Sequence, residues 1–150
     1  MKIESYLSQS PLYWTYLAQL QLLEPIQTQL KKQGVHLFQG LLLTAIFFED
    51  REVRPTELVK AFKIKRSNLS HSLRSLETQG YVRRIPHPSD ARGYLFSLTP
   101  PGRRKALSLI KFFDEIQTSF EQVFSSVFLK NIISNLKTLL ESENERGRSK

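Results

Sequence analysis

The stretch from Arg54 to Leu98 constrains this chain most, because its punctuation fits two short helices followed by a hairpin and little else. Arg54-Pro55-Thr56-Glu57 reads as a helix start: proline suits the first turn, where its missing N–H is not needed, and Glu57 faces the positive end of the helix dipole. That helix is expected to reach about Phe62. Lys63-Ile64-Lys65 forms a turn, a second helix runs from about Arg66 to Gln79, and Gly80 suits the left-handed conformation that stops it. Tyr81 to Ile85 alternates like a strand, Pro86 to Gly93 supplies turn residues, and Tyr94 to Leu98 reads as a returning strand. The expected hairpin therefore has a loop spanning residues 86–93.

The second helix has two unlike faces. With Leu69 at zero degrees and 100° per residue, Leu73 and Leu76 fall within about 40° of it and form the face to bury. The opposite side holds Ser67, His71, Arg74 and Thr78, flanked by Asn68, Ser70 and Ser75, with Arg66 at the helix start. Arginine can pair in two-pronged fashion with guanine and asparagine with adenine, while serine and histidine reach bases or phosphates, so this face suits a DNA major groove. A solvated helix face is also polar, and the pattern alone favours that reading. Context separates the two: the face carries no acid, and it lies between a short helix and a hairpin bearing Arg83, Arg84 and Arg92, which suits a neighbouring minor groove.

Charge is concentrated in the same place. The formal net charge is +8, divided as −1 over residues 1–50, +9 over 51–105 and 0 over 106–150. A basic block within an otherwise neutral chain is what a polyanion-binding surface needs, since each neutralised phosphate releases counterions. Acidic membranes, or solubility alone, are the other uses of such a block.

The flanks read as helices. Leu12, Tyr13, Tyr16, Leu17, Leu20 and Leu23 recur at helical spacing between Pro11 and about Lys32, with Pro25 a candidate kink. His36 to Phe48 is nearly all apolar and should be buried on most sides, with His36 at the helix start. Thr99 caps a long helix expected to run through Val127, and a last helix spans about Leu129 to Leu140 before a polar tail, residues 143–150, expected to be disordered.

Arg84, Asp90-Ala91-Arg92 and Leu98-Thr99-Pro100-Pro101-Gly102, set in residues 51–106, resemble the wing signature of the MarR family of bacterial regulators. The resemblance implies a mainly α fold with a small β-hairpin wing: a winged helix-turn-helix with N- and C-terminal dimerisation helices. Residues 1–50 and 106–142 would hold the dimerisation helices and 51–105 the DNA-binding lobe. It also implies that Arg66, Ser67, Asn68, Ser70, His71 and Arg74 form the recognition helix, and that Arg84, His87, Asp90 and Arg92 belong to the wing. Arg92 would enter the minor groove and Asp90 would pair with an arginine, Arg84 first; Asp90 also suits a turn cap. Two departures stand out. Ala91 occupies a place where the family often has a second arginine, and Lys65 one where serine or threonine often caps the recognition helix, leaving Ser67 as a substitute cap.

The family's partners are double-stranded DNA with a palindromic operator and a second copy of the chain. A two-fold core would use the aromatic residues of both ends, such as Trp14, Phe112, Phe120 and Phe128, which exceed what a winged core needs. Many members also release DNA on binding small aromatic or lipophilic anions, for which Tyr13, Tyr16, His36 and Phe38 are the crevice candidates. Catalytic, metal and cofactor sites are not expected. There is no cysteine, and His36, His71 and His87 lie on three separate elements without ligand spacing. No apolar run is long enough for a signal peptide or a membrane span, so a cytoplasmic location is expected. A winged-helix protein-interaction module and an RNA-binding protein are the rival uses of the same basic face.

Overall fold

The computed structural model describes residues 2–148, with the side chains of Ala91, Arg92 and residues 142–148 outside the described set. The chain divides into two compact units, residues 1–109 and 110–150. In the first, a short helix α1 (Ile3–Ser8), which periodicity did not reveal, precedes α2 (Pro11–Ala18) and α3 (Glu24–Lys32). Between α2 and α3 lies a single wide π turn, Gln19–Leu23, in which the Glu24 N–H reaches the Gln19 carbonyl. The expected effect of Pro25 thus takes this form: proline has no N–H and its ring crowds the carbonyl four residues back, and widening the turn relieves both without breaking the helix.

Helix α4 (Leu37–Glu49) carries the centre of the core, with Leu42 and Leu43 fully buried and Ile46 2% exposed. His36 starts it, as expected, and its N–H donates to Gln39 Oε1 at 2.9 Å. Helix α5 (Pro55–Phe62) and helix α6 (Arg66–Thr78) follow the sequence reading closely. Lys63 (φ +52°) and Gly80 (φ +74°) take the left-handed positions that end them. Leu69, Leu73 and Leu76 are 0, 2 and 0% exposed, so the apolar stripe of α6 is its packed face.

The hairpin corrects one expectation. Strands β1 (Val82–His87) and β2 (Asp90–Leu98) pair antiparallel from Val82↔Leu98 to His87↔Asp90, leaving only Pro88-Ser89 as the turn. Of the residues taken for a loop, Pro86, His87 and Asp90 are paired backbone. Proline lacks a donor but is tolerated at a sheet edge, and the register shifts between Pro86 and His87, so a bulge absorbs the extra residues of β2. Val53 adds a third rung to the sheet by exchanging backbone hydrogen bonds with Phe96, both 2.9 Å.

Helix α7 (Pro100–Val123) begins where the sheet ends, and its start is tied to the end of α6. Thr99 Oγ1 accepts from the Gly102 N–H at 3.0 Å and donates to the Gly80 carbonyl at 2.6 Å, while the Thr99 N–H donates to the Tyr81 carbonyl at 3.0 Å. Gly102 is buried, and a Cβ there would lie 1.8 Å from the Tyr81 carbonyl oxygen, so only glycine lets the two backbones approach this closely. Lys105 donates from Nζ to the Gln33 carbonyl at 2.6 Å, where the C-terminal end of α3 favours a cation, and burial lowers its pKa.

The second unit holds the remainder of α7 and helix α8 (Ser126–Arg148). The break between them falls at Phe124-Ser125 and not after Val127, because Ser125 Oγ accepts the Phe128 N–H at 3.3 Å and caps a new helix. Helix α8 continues to Arg148, past the Leu140 end that the apolar period suggested and through most of the tail expected to be disordered. No described residue of this unit is buried.

Replacing Gly102 with alanine is expected to lower stability by about 2–3 kcal/mol, since backbone on both sides must move to admit the methyl group. Urea denaturation checks this, and an unchanged midpoint would contradict the close approach.

Candidate nucleic-acid interface

The outer face of α6 is built by its inner one. With Leu69, Leu73 and Leu76 fixed in the core, the 3.6-residue period turns Arg66, Ser67, Asn68, Ser70, His71 and Arg74 outward, and all six are exposed. Lys65 occupies the N-cap position without a side-chain cap bond, and Ser67 falls inside the first turn, so the substitute-cap role expected of it is not used. Ser75, on the flank, is turned inward instead, where it accepts from Gln39 Nε2 at 2.9 Å.

Charge around this face is sorted by pairing. Arg51 contacts Glu49 at 2.9 Å and Glu57 at 3.0 Å, and Arg103 contacts Asp50 at 2.8 Å, so two arginines of the basic block already face carboxylates. The hydrogen bond and charge of Glu57 raise the Arg51 pKa. Burial pushes Glu57 up, but the hydrogen bonds from Arg51 and the Arg54 N–H outweigh it, and its pKa is lowered. These pairs are exposed and add little stability. Arg66 and Arg74 of α6 appear in none of these pairs.

Beside the turn of the wing, Arg54, Thr56, Arg66, His87 and Asp90 line an open cleft of about 210 Å³. Arg54 Nη2 lies 2.7 Å from His87 Nε2, joining the start of α5 to the turn of the hairpin. The guanidinium donates to Nε2, and on the other side of the ring Nδ1 accepts from the Ser89 N–H at 3.2 Å. Arg84 differs from expectation: its guanidinium lies over the Tyr94 ring, 3.5 Å from the centroid, and not in an ion pair with Asp90. Arg84, opposite Phe96, and Tyr94, opposite Pro86, are diagonal neighbours on the two strands, within reach of a cation–ring contact. Asp90 folds against Gly93, where a Cβ would meet its Oδ2 at 2.6 Å. Arg83 donates from Nε to Ser97 Oγ at 3.0 Å across the sheet. The side chain of Arg92, expected at the wing tip, lies outside the described residues.

The four crevice candidates each have a local place. Phe38 meets Phe62 edge-on with centroids 5.3 Å apart, Tyr13 meets Trp14 at 5.9 Å, His36 begins α4, and Tyr16 is 54% exposed. Sequence reasoning missed Arg54, which it took only as a helix-start residue. The signal was present in its position beside Pro55-Thr56 within the basic block, but the partner, His87, is 33 residues away. Among the described residues no group of three or more His, Asp or Glu side chains could hold a metal, and no helix is long and apolar enough to cross a membrane.

The sequence profile of the MarR family matches residues 39–93, from Gln39 on α4 to Gly93 in the wing. Over these residues the chain is similar to the MarR family. The regulator BilQ of Clostridioides difficile is 23% identical over 114 residues, covering 71% of this chain and 77% of that protein. The multiple antibiotic resistance protein MarR of Salmonella typhimurium is 38% identical over 50 residues, 33% of this chain and 35% of that one. Among solved structures, a Staphylococcus aureus MepR–DNA complex superposes with a TM-score of 0.76 at 20% identity, over 87% of this chain and 95% of that one. The profile therefore runs from the first turn of α4 to Gly93 in β2 and stops before Thr99 and Gly102.

Replacing His87 with alanine is expected to speed amide exchange around Pro88-Ser89 while changing overall stability by less than about 1 kcal/mol, because only the tether to α5 is lost. Exchange as slow as in the parent would show that this tether does not hold the turn.

Proposed function

We propose that this chain is a regulator of the MarR family, a sequence-specific repressor of transcription that binds double-stranded DNA as a homodimer on an inverted repeat in the cytoplasm. The observation that carries the reading is the exposed, acid-free outer face of α6 beside a basic wing, on a helix whose opposite face is locked in the core. In this reading Arg66, Ser67, Asn68, Ser70, His71 and Arg74 address the major groove. Arg84, His87, Asp90 and Arg92 shape and present the wing to the adjacent minor groove or its phosphates. The solved MepR–DNA complex, which shares the fold, supports DNA as the ligand.

The second unit supports the dimer. Val127, Phe128, Ile133, Leu136 and Leu140 are 47 to 65% exposed, an apolar burden that a chain in water covers with another surface, and a second copy offers the same stripe. Ile3, Tyr6, Leu12 and Trp14 in the first unit are likewise exposed. Two copies related by a two-fold axis would present two α6 helices to major grooves about 34 Å apart. A small aromatic or lipophilic anion lodged near Tyr13, Tyr16, His36 and Phe38 would release the DNA. No catalytic role is assigned.

Duplex binding followed by fluorescence anisotropy is expected to weaken by at least about tenfold between 50 and 200 mM salt, the behaviour of several phosphate contacts. No affinity for duplex at low salt would overturn the reading, and preference for single strands or RNA hairpins would replace it with an RNA-binding one. Arg74→Ala is expected to lose about 1–3 kcal/mol on a selected duplex and much less on an unrelated one. Sedimentation should give a dimer at micromolar concentration, shifted toward monomer by Leu136→Asp; a stable parent monomer would remove the two-fold arrangement.

A further inference from the structure

Helix α4 is apolar along most of its length, yet Gln39 in its first turn is 5% exposed. Its amide is used at both ends. Oε1 accepts the His36 N–H at 2.9 Å, which holds the side chain against its own helix start. That leaves the NH2 group aimed away from α4, and Nε2 donates to Ser75 Oγ on α6 at 2.9 Å. Ser75 also accepts from Gln79 Nε2 at 3.2 Å, within α6 itself. A capping role needs only the oxygen of Gln39; the reach of its nitrogen to a residue 36 positions away is a separate commitment.

Thr99 holds the chain just past the end of α6, and along the helix itself the packed face is the leucine stripe of Leu69, Leu73 and Leu76. Contacts between aliphatic side chains hold a helix down but are not directional, so they tolerate small rotations and slides along the groove. A hydrogen bond weakens steeply with angle and distance, and one shielded from water is not replaced by solvent when it slips. Ser75 adjoins Arg74 and lies one turn beyond His71, so the roll of α6 that the bond sets is the roll with which those two side chains meet a base edge.

We infer that Gln39 is a positioning residue for DNA recognition, fixing the rotation of α6 through Ser75 while touching no DNA itself. The inference rests on the proposed duplex-binding role of α6. It also gives the start of α4 a link to both helices of the DNA-binding lobe, since the neighbouring Phe38 packs on Phe62 at the end of α5. A rearrangement at His36 or Phe38 would therefore reach α6 directly.

The test compares affinities for a duplex selected from a random library by the parent chain and for an unrelated duplex, using Gln39→Leu, Ser75→Ala, Ser75→Thr and the double variant Gln39→Leu/Ser75→Ala. Gln39→Leu keeps the core volume, so dimer and melting temperature should be retained. Its affinity for the selected duplex should fall at least about fivefold, the scale of one hydrogen bond, with the unrelated duplex changed less than about twofold. Ser75→Ala should match it, the double variant should lose no more than either single one, and Ser75→Thr, which keeps the hydroxyl, should stay near the parent. Parent-like discrimination in Gln39→Leu, or additive losses in the double variant, would overturn the inference while leaving duplex binding intact. If Gln39→Leu does not fold, Ser75→Ala against Ser75→Thr decides the matter at the half-buried end of the bond. A parent chain that selects no duplex at all would refute the proposed function and this inference together.

Discussion

Everything distinctive about the lobe depends on one close backbone approach, that of Gly102 to the carbonyl of Tyr81. Because no side chain stands at Gly102, helix α7 starts directly over the residue that follows the α6 stop, and Thr99 can serve both helices with a single hydroxyl. The end of α6, the base of the hairpin and the start of α7 then meet at one point. With its C-terminal end pinned there and its Leu69, Leu73 and Leu76 in the core, α6 turns Arg66, Ser67, Asn68, Ser70, His71 and Arg74 to solvent, with Glu77 exposed near its end. The wing inherits its position from the same point, since β1 leaves Tyr81 and β2 returns to Thr99.

Electrostatics refine what packing sets up. The excess charge of residues 51–105 is a property of sequence, but its availability is a property of fold. Arg51 and Arg103 are turned toward Glu49, Glu57 and Asp50, and Arg84 is laid on Tyr94. Arg54 is joined to His87 at the wing turn. Arg66 and Arg74 stay exposed on α6, and Arg54 and Arg66 line the cleft beside it.

Periodicity made much of this legible. The leucine stripe, the capping threonine, the left-handed Gly80 and the bounds of α5 and α6 all follow from rules that act within one turn of helix, and the structure has them where those rules place them. Features that depend on contacts between distant residues were not visible. The Gln39–Ser75 bond, the Arg54–His87 tether and the Arg84–Tyr94 stack join residues whose partners no local pattern names. The hairpin was misjudged for a related reason: Pro86 and Gly93 look like loop residues, but both lie in the strands of a two-stranded sheet whose register shifts beside them. The break at Ser125 hides in an apolar period that continues across it, and only the serine hydroxyl marks the change of helix.

The central claim is that the outer face of α6, doubled by a two-fold axis, reads duplex DNA. Selecting bound sequences from a random duplex library with the full chain tests it most directly. The account predicts enrichment of an inverted repeat whose half-site centres lie about 10 base pairs, one helical turn, or a multiple of that apart. Recovery of unenriched sequence, or of a single unrepeated site, would contradict it.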